Sequence, residues 1–166
     1  MLTRVSHAHH DVLRGYANEL NELAGCLDGD CLDTAGLLSA APRLREAHDA
    51  LLTRLLPHME TVEAAVYPTL ERLVADRPIS VPMAAEHQEI RRLVSALGMV
   101  TSESALEQAD RSTVLRLRRI LLRLYVLLKT HLAEEELYLP ILEDRLTPIH
   151  ETALARALDH LAAERV

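Results

Sequence analysis

Four histidines recur in a repeated order along the chain, and two of them are followed by a carboxylate about one helical turn later. His9 opens the first unit in "HAHHDVLRGYANEL", and His58 in "LLPHMETVEAAVYPTLERL" is followed by Glu63. His87 opens the second in "AAEHQEIRRLVSAL", and His131 in "LLKTHLAEEELYLPILEDRL" is followed by Glu135. Four imidazoles and two carboxylates suit a pair of bridged metal ions. Imidazole favours iron and other mid-row divalent metals, while a carboxylate can span two of them and offset their charge. Two metals about 3.5–4 Å apart need bridging anions of this kind.

Spacing decides whether such side chains can meet. Residues three or four apart lie on one helix face, so His131 and Glu135 can both point the same way. His58 and Glu63 are five apart, a looser fit on a straight helix, with Glu60 as the other nearby carboxylate and Val62 at the four-apart position. On the fourth helix Glu134 and Glu136 compete with Glu135, which the four-residue spacing favours. For the first helix, "HHDV" from His9 aligns with "HQEI" from His87, which places His9 ahead of His10, with His7 further off.

The elements that must carry these residues read as helices. The apolar content is Leu, Ala, Val and Ile with four Tyr and no Phe or Trp, a composition that favours helices over strands. Ser6 can cap a first helix to about Ala24, with Val5, Val12, Leu13, Tyr16, Leu20 and Leu23 on one face. "GCLDGDCLD" is a break. A second helix starts near Thr34 or after Pro42 and runs to about Ala75, with a kink expected at Pro57 and a further disturbance at Pro68. After the turn "DRPISVP", a third helix ends near Glu103. A fourth, capped by Asp110 or Ser112, reaches about Leu139, and Thr147-Pro148 opens a short terminal helix. The expected fold is therefore all-α: an antiparallel up-and-down four-helix bundle with a short C-terminal helix. Residues 1–166 make one domain, with the bundle at about 5–146 and the tail helix at about 148–164.

Composition excludes other classes. A net charge of −7 without a basic cluster makes a poor nucleic-acid ligand. The longest apolar-rich run, "ILLRLYVLL", is broken by Arg123 and is too short to span a bilayer. The opening stretch lacks a continuous apolar core, so a cytoplasmic location is expected. Cys26 and Cys31 read as free thiols in a loop. Asp28, Asp30 and Asp33 fail the calcium-loop spacing and read as a turn. Tyr67 and Tyr138, each just before a proline, can pack against the site or bond a ligand. No catalytic side chain or organic-cofactor motif stands out.

Taken together, "HHDVLRG", "LLPHMETVEAAVYPTLE", "EHQEIRRL" and "LYVLLKTHLAEEELYLPIL" resemble the helix motifs of the hemerythrin-like HHE cation-binding family over roughly residues 5 to 146. The resemblance implies a four-helix bundle around a non-heme di-iron centre. It implies His9, His58, His87 and His131 as ligands, with Glu63 and Glu135 bridging, and oxygen, peroxide or nitric oxide as the small-molecule partner. Two departures matter. Val62 stands where the family places a carboxylate after His58, which opens the alternative of a single metal, such as zinc, in a structural or regulatory module. Arg91 stands where oxygen carriers have a further His, so the metals are left more open and peroxide consumption becomes a candidate activity.

Overall fold

The computed structural model describes residues 2–27, 34–74, 80–102, 105–106 and 108–163, with the side chains of 34–35 and 159–163 left aside. These residues form an all-α protein, with no strand among them: α1 (Leu2–Cys26), α2 (34–73), α3 (Ser80–Thr101), α4 (Arg111–Arg145) and α5 (Pro148–Ala163). Cys31 and the Asp28–Asp33 turn lie outside the described residues.

Helix α1 begins earlier than a Ser6 cap would allow. Leu2 starts it, and its first amides are satisfied from other helices: the Leu2 N–H donates to Glu151 Oε1 at 2.9 Å and the Thr3 N–H to Glu143 Oε1 at 2.9 Å. Carboxylates suit this end because exposed N–H groups and the helix dipole both favour negative charge. Ser6 sits inside the helix and is buried. At the other long helix the expected cap is present, since Asp110 accepts from the Thr113 N–H at 2.8 Å. Helix α4 continues through Pro140 to Arg145.

Helix α2 runs past all three of its prolines. Ahead of Pro57 and Pro68 the backbone widens into π-helical turns, Leu51–Leu55 and Val62–Val66, in which the Leu56 and Tyr67 N–H groups donate to the carbonyls of Leu51 and Val62. A proline removes one backbone donor and crowds the preceding turn. A wide turn relieves that crowding and shifts every later side chain relative to a regular helix.

Contacts between helices run in opposite numerical senses. Between α1 and α4, Thr3 meets Glu143, Arg14 meets Glu136 and Arg118 donates to the Ala24 carbonyl. Between α3 and α4, Glu86 meets His131 and Glu89 meets Arg123. Between α2 and α3, the Ser80 hydroxyl donates to Glu71, Arg91 donates to Glu63, and the His48 ring lies against Gly98. A Cβ at position 98 would fall 2.7 Å from that ring, so glycine permits this approach. Helix α5 packs on α1 and on the middle of α2.

The interior is two apolar clusters. One holds Leu13, Leu20, Leu55, Met59, Ile90, Leu124, Leu128 and Leu132 among others. The second holds Leu2, Val62, Leu70, Met83, Leu139 and Leu142, together with Leu154, Ala155 and Leu158 of α5. On each of the first four helices the change from one cluster to the other is marked by a buried polar side chain: His10, His58, His87, then His131 with Glu135.

Candidate metal centre

Those five side chains form one buried layer between the two clusters. Their arrangement around Glu135 is paired. Glu135 Oε2 faces His10 Nε2 at 3.2 Å and His58 Nε2 at 3.3 Å. Its Oε1 faces His131 Nε2 at 3.3 Å and His87 Nε2 at 3.9 Å. One carboxylate thus separates two imidazole pairs, and each pair with Glu135 brings three donor atoms within 4.8 Å of one another. Glu135 is 7 % exposed and the four rings at most 1 %. Isolating a carboxylate at that depth is costly unless it is paired. Burial opposes its ionisation, but the imidazoles of His10, His131 and His58 outweigh burial and hold it well below the usual carboxylate range.

Three of the rings are held from behind by carboxylates. His87 Nδ1 lies 2.7 Å from Glu63 Oε1, His131 Nδ1 2.7 Å from Glu86 Oε2, and His10 Nδ1 3.2 Å from Glu136 Oε1. Arg91 clamps Glu63 at 3.0 and 2.8 Å, and Arg14 donates to Glu136 at 2.9 and 2.6 Å. Such outer partners accept a hydrogen bond from Nδ1–H and, in a neutral ring, favour the tautomer whose Nε2 is free to bind a metal. Burial and the neighbouring His131 push His87 down to about 4, so its ring is neutral near pH 7. Burial works the same way on His131, but Glu135 and Glu86 outweigh it and raise that ring. His58 Nδ1 is buried without a hydrogen-bond partner, and its ring is packed edge-on by His10 and stacked by His9.

The donor set fits a cation. His87 Nε2 and His131 Nε2 are 2.8 Å apart. At that distance a proton or a metal cation must lie between the two nitrogens. His10 and His58 turn their Nε2 atoms to the same carboxylate oxygen. An inward face of imidazole nitrogens around one carboxylate, wrapped in apolar side chains, is a donor set that suits a metal.

Two of the residues singled out from the sequence stand elsewhere. His9 is outside both donor groups: it is half-buried, with its ring stacked on His58 at 5.8 Å between centroids, and His10 points inward instead. The reason is helical register. Ser6, His10, Leu13, Ala17 and Leu20 form the buried stripe of α1, while Val12, expected on it, is 53 % exposed. The stripe continues back through His10 and Ser6 to Leu2, which leaves His9 on its flank. Glu63 is 33 % exposed and is behind His87, between that ring and Arg91, because the place one turn after His58 belongs to buried Val62. His58, His87, His131 and Glu135 are brought together at the centre. Tyr67 joins them, donating its hydroxyl to Glu135 Oε1 at 3.1 Å. Its signal in the sequence is Pro68, whose demand for a wide turn moves Tyr67 inward.

A helical frame that converges four imidazoles and a carboxylate in a dry layer defines a cation-binding module. The chain belongs to the hemerythrin HHE cation binding domain family, whose model matches residues 1–142. No curated protein matches it, nor does any solved structure. Among the described residues no helix is long and apolar enough to cross a membrane.

Proposed function

We propose that the chain holds two iron ions, one between His10 and His58 and one between His87 and His131, with Glu135 spanning them. The observation that carries this reading is the division of four Nε2 atoms between the two oxygens of one buried carboxylate. Charge supports it. Glu135, Glu63, Glu86 and Glu136 surround the layer, two of them partly offset by Arg91 and Arg14. The pairings of α1 to α4 support the antiparallel four-helix bundle as the frame, and the packing of α5 over α1 and α2 supports one domain.

Iron bound there would supply electron exchange and open coordination positions for oxygen, peroxide or nitric oxide. This chain's residues supply the rest. Glu63, Glu86 and Glu136 orient rings. Leu2, Val62, Val66, Leu139 and Leu158 keep bulk water away from a cavity of about 30 Å³ that borders His10, His58 and Glu135. That volume admits roughly a water or a diatomic molecule and little more, which favours small gases or peroxide as the partner. Arg91 places no further imidazole on the layer, which favours consumption of the bound molecule over reversible storage. The second reading is a single metal such as zinc, and it rests on Val62: among the described residues Glu135 alone contributes a carboxylate to the two donor groups.

Elemental analysis of freshly purified protein, with and without His131→Ala, tests the proposal. About two irons per chain, falling by at least one in the variant, is expected. One zinc per chain would favour the second reading, and unchanged metal in the variant would contradict the assignment. Peroxide turnover by the iron form, set against reversible oxygen spectra without turnover, then separates consumption from storage.

A further inference from the structure

The second inward carboxylate that Val62 removes has a counterpart five residues on. Val62 and Tyr67 bracket the second π-helical turn, and the Tyr67 N–H donates to the Val62 carbonyl. In a regular helix the residue four beyond Val62 would share its face. The wide turn gives that place to Tyr67, so His58, Val62 and Tyr67 are all buried on one side of α2. The Tyr67 hydroxyl reaches the layer at two points: 3.1 Å from Glu135 Oε1 and 3.3 Å from His87 Nε2. Its ring stacks on His87, with centroids 5.6 Å apart and an interplanar angle of 25°.

Resting on the two-metal reading above, we infer that Tyr67 is the sixth protein ligand, its oxygen joining His87, His131 and Glu135 Oε1 on one side of the centre. On coordination the O–H bond breaks, the oxygen keeps the electron pair that it gives to the metal, and the proton leaves to solvent. The two halves are then unequal. The His87 and His131 half has four protein donors. The His10 and His58 half has three, and those two imidazoles border the apolar cavity, which Tyr67 and Glu135 also line while His87 and His131 do not. Tyr67 thereby closes one metal and leaves the other as the place where a small molecule arrives. The phenol oxygen also restores the negative charge that Val62 omits.

The test uses ferric-loaded wild type, Tyr67→Phe and, as a control, Tyr125→Phe, whose tyrosine packs against the other apolar cluster. Iron per chain, visible absorption and resonance Raman spectra are recorded for each. A phenolate ligand gives a visible charge-transfer band with tyrosine ring modes enhanced under it. Band and modes are expected in wild type and Tyr125→Phe, and both vanish in Tyr67→Phe while it retains iron. Iron bound without those features, or features that survive in Tyr67→Phe, overturns the role of Tyr67 and leaves the two-metal reading standing. Absence of bound iron from wild type overturns both. Should Tyr67→Phe fail to fold, wild type without ring modes still contradicts the ligand, and modes that survive in Tyr16→Phe, Tyr125→Phe and Tyr138→Phe assign it to Tyr67, the remaining tyrosine.

Discussion

Glu135 concentrates the electrostatics of this protein in two oxygen atoms. It is buried, ionised through its contacts with imidazole, and shared between two ring pairs. His131 and Glu135 were legible from sequence because an uninterrupted helix converts four-residue spacing directly into a shared face. His87 was legible because it opens the second of the two repeated units, in "EHQEIRRL". The first helix carries two adjacent histidines, and only the buried stripe of leucines distinguishes them. A prediction follows from that stripe. His10→Ala should lower iron per chain by one or more, whereas His9→Ala should keep the metal. Quantitative metal analysis of the two variants checks this, and a larger loss from His9→Ala would reverse the register of α1.

At the scale of elements, the helices do different tasks. Helix α4 is long and regular, and sets two ligands one turn apart. Helix α2 is not regular: Pro57 and Pro68 are accommodated by π-helical turns, and one of these carries Tyr67 into the core. Proline positions were visible in the sequence, but whether the backbone would kink or widen depended on packing from α1, α3 and α5. The start of α1 was missed for a related reason, because its capping carboxylates come from residues 143 and 151, remote in sequence. The cap of α4 is local and was legible. Hydrogen bonds from the Thr113 hydroxyl, the Thr113 N–H and the Ser112 hydroxyl hold Asp110 down to about 2 from its usual 3.8. A depressed carboxylate stabilises the fold above its unfolded pKa, and that contribution disappears as pH falls from 3.8 towards about 2. Asp110→Asn keeps a capping acceptor without the charge. The stability advantage of wild type over this variant in parallel denaturant titrations should be constant near neutrality and shrink through that acid window. An advantage that grows on acidification would contradict the cap's role.

At the scale of the whole molecule, the polar layer is a weakness in the metal-free state and a clasp in the loaded one. Five buried polar side chains interrupt what would otherwise be continuous apolar packing. A ligand that binds only the folded state adds about 2.7 kcal/mol at a hundredfold excess over its dissociation constant. For a chain of this size that raises the unfolding midpoint by roughly 5–10 °C. Chelation should therefore lower the midpoint by at least that much, and re-addition of iron should restore it; a midpoint indifferent to chelation would mean that no metal braces the core. The all-helical class was plain from composition and periodicity. What the sequence did not disclose is that the terminal helix closes the far end of the core. Leu154, Ala155 and Leu158 pack over the cavity side of the layer, and nothing in a short amphipathic tail specifies which end it covers.

The central claim concerns where metal sits, and anomalous diffraction from iron-loaded crystals at the iron absorption edge addresses it most directly. The account predicts two peaks per chain flanking the Glu135 carboxylate, one against His10 and His58 and the other against His87 and His131. A single peak, or peaks away from Glu135, would contradict it.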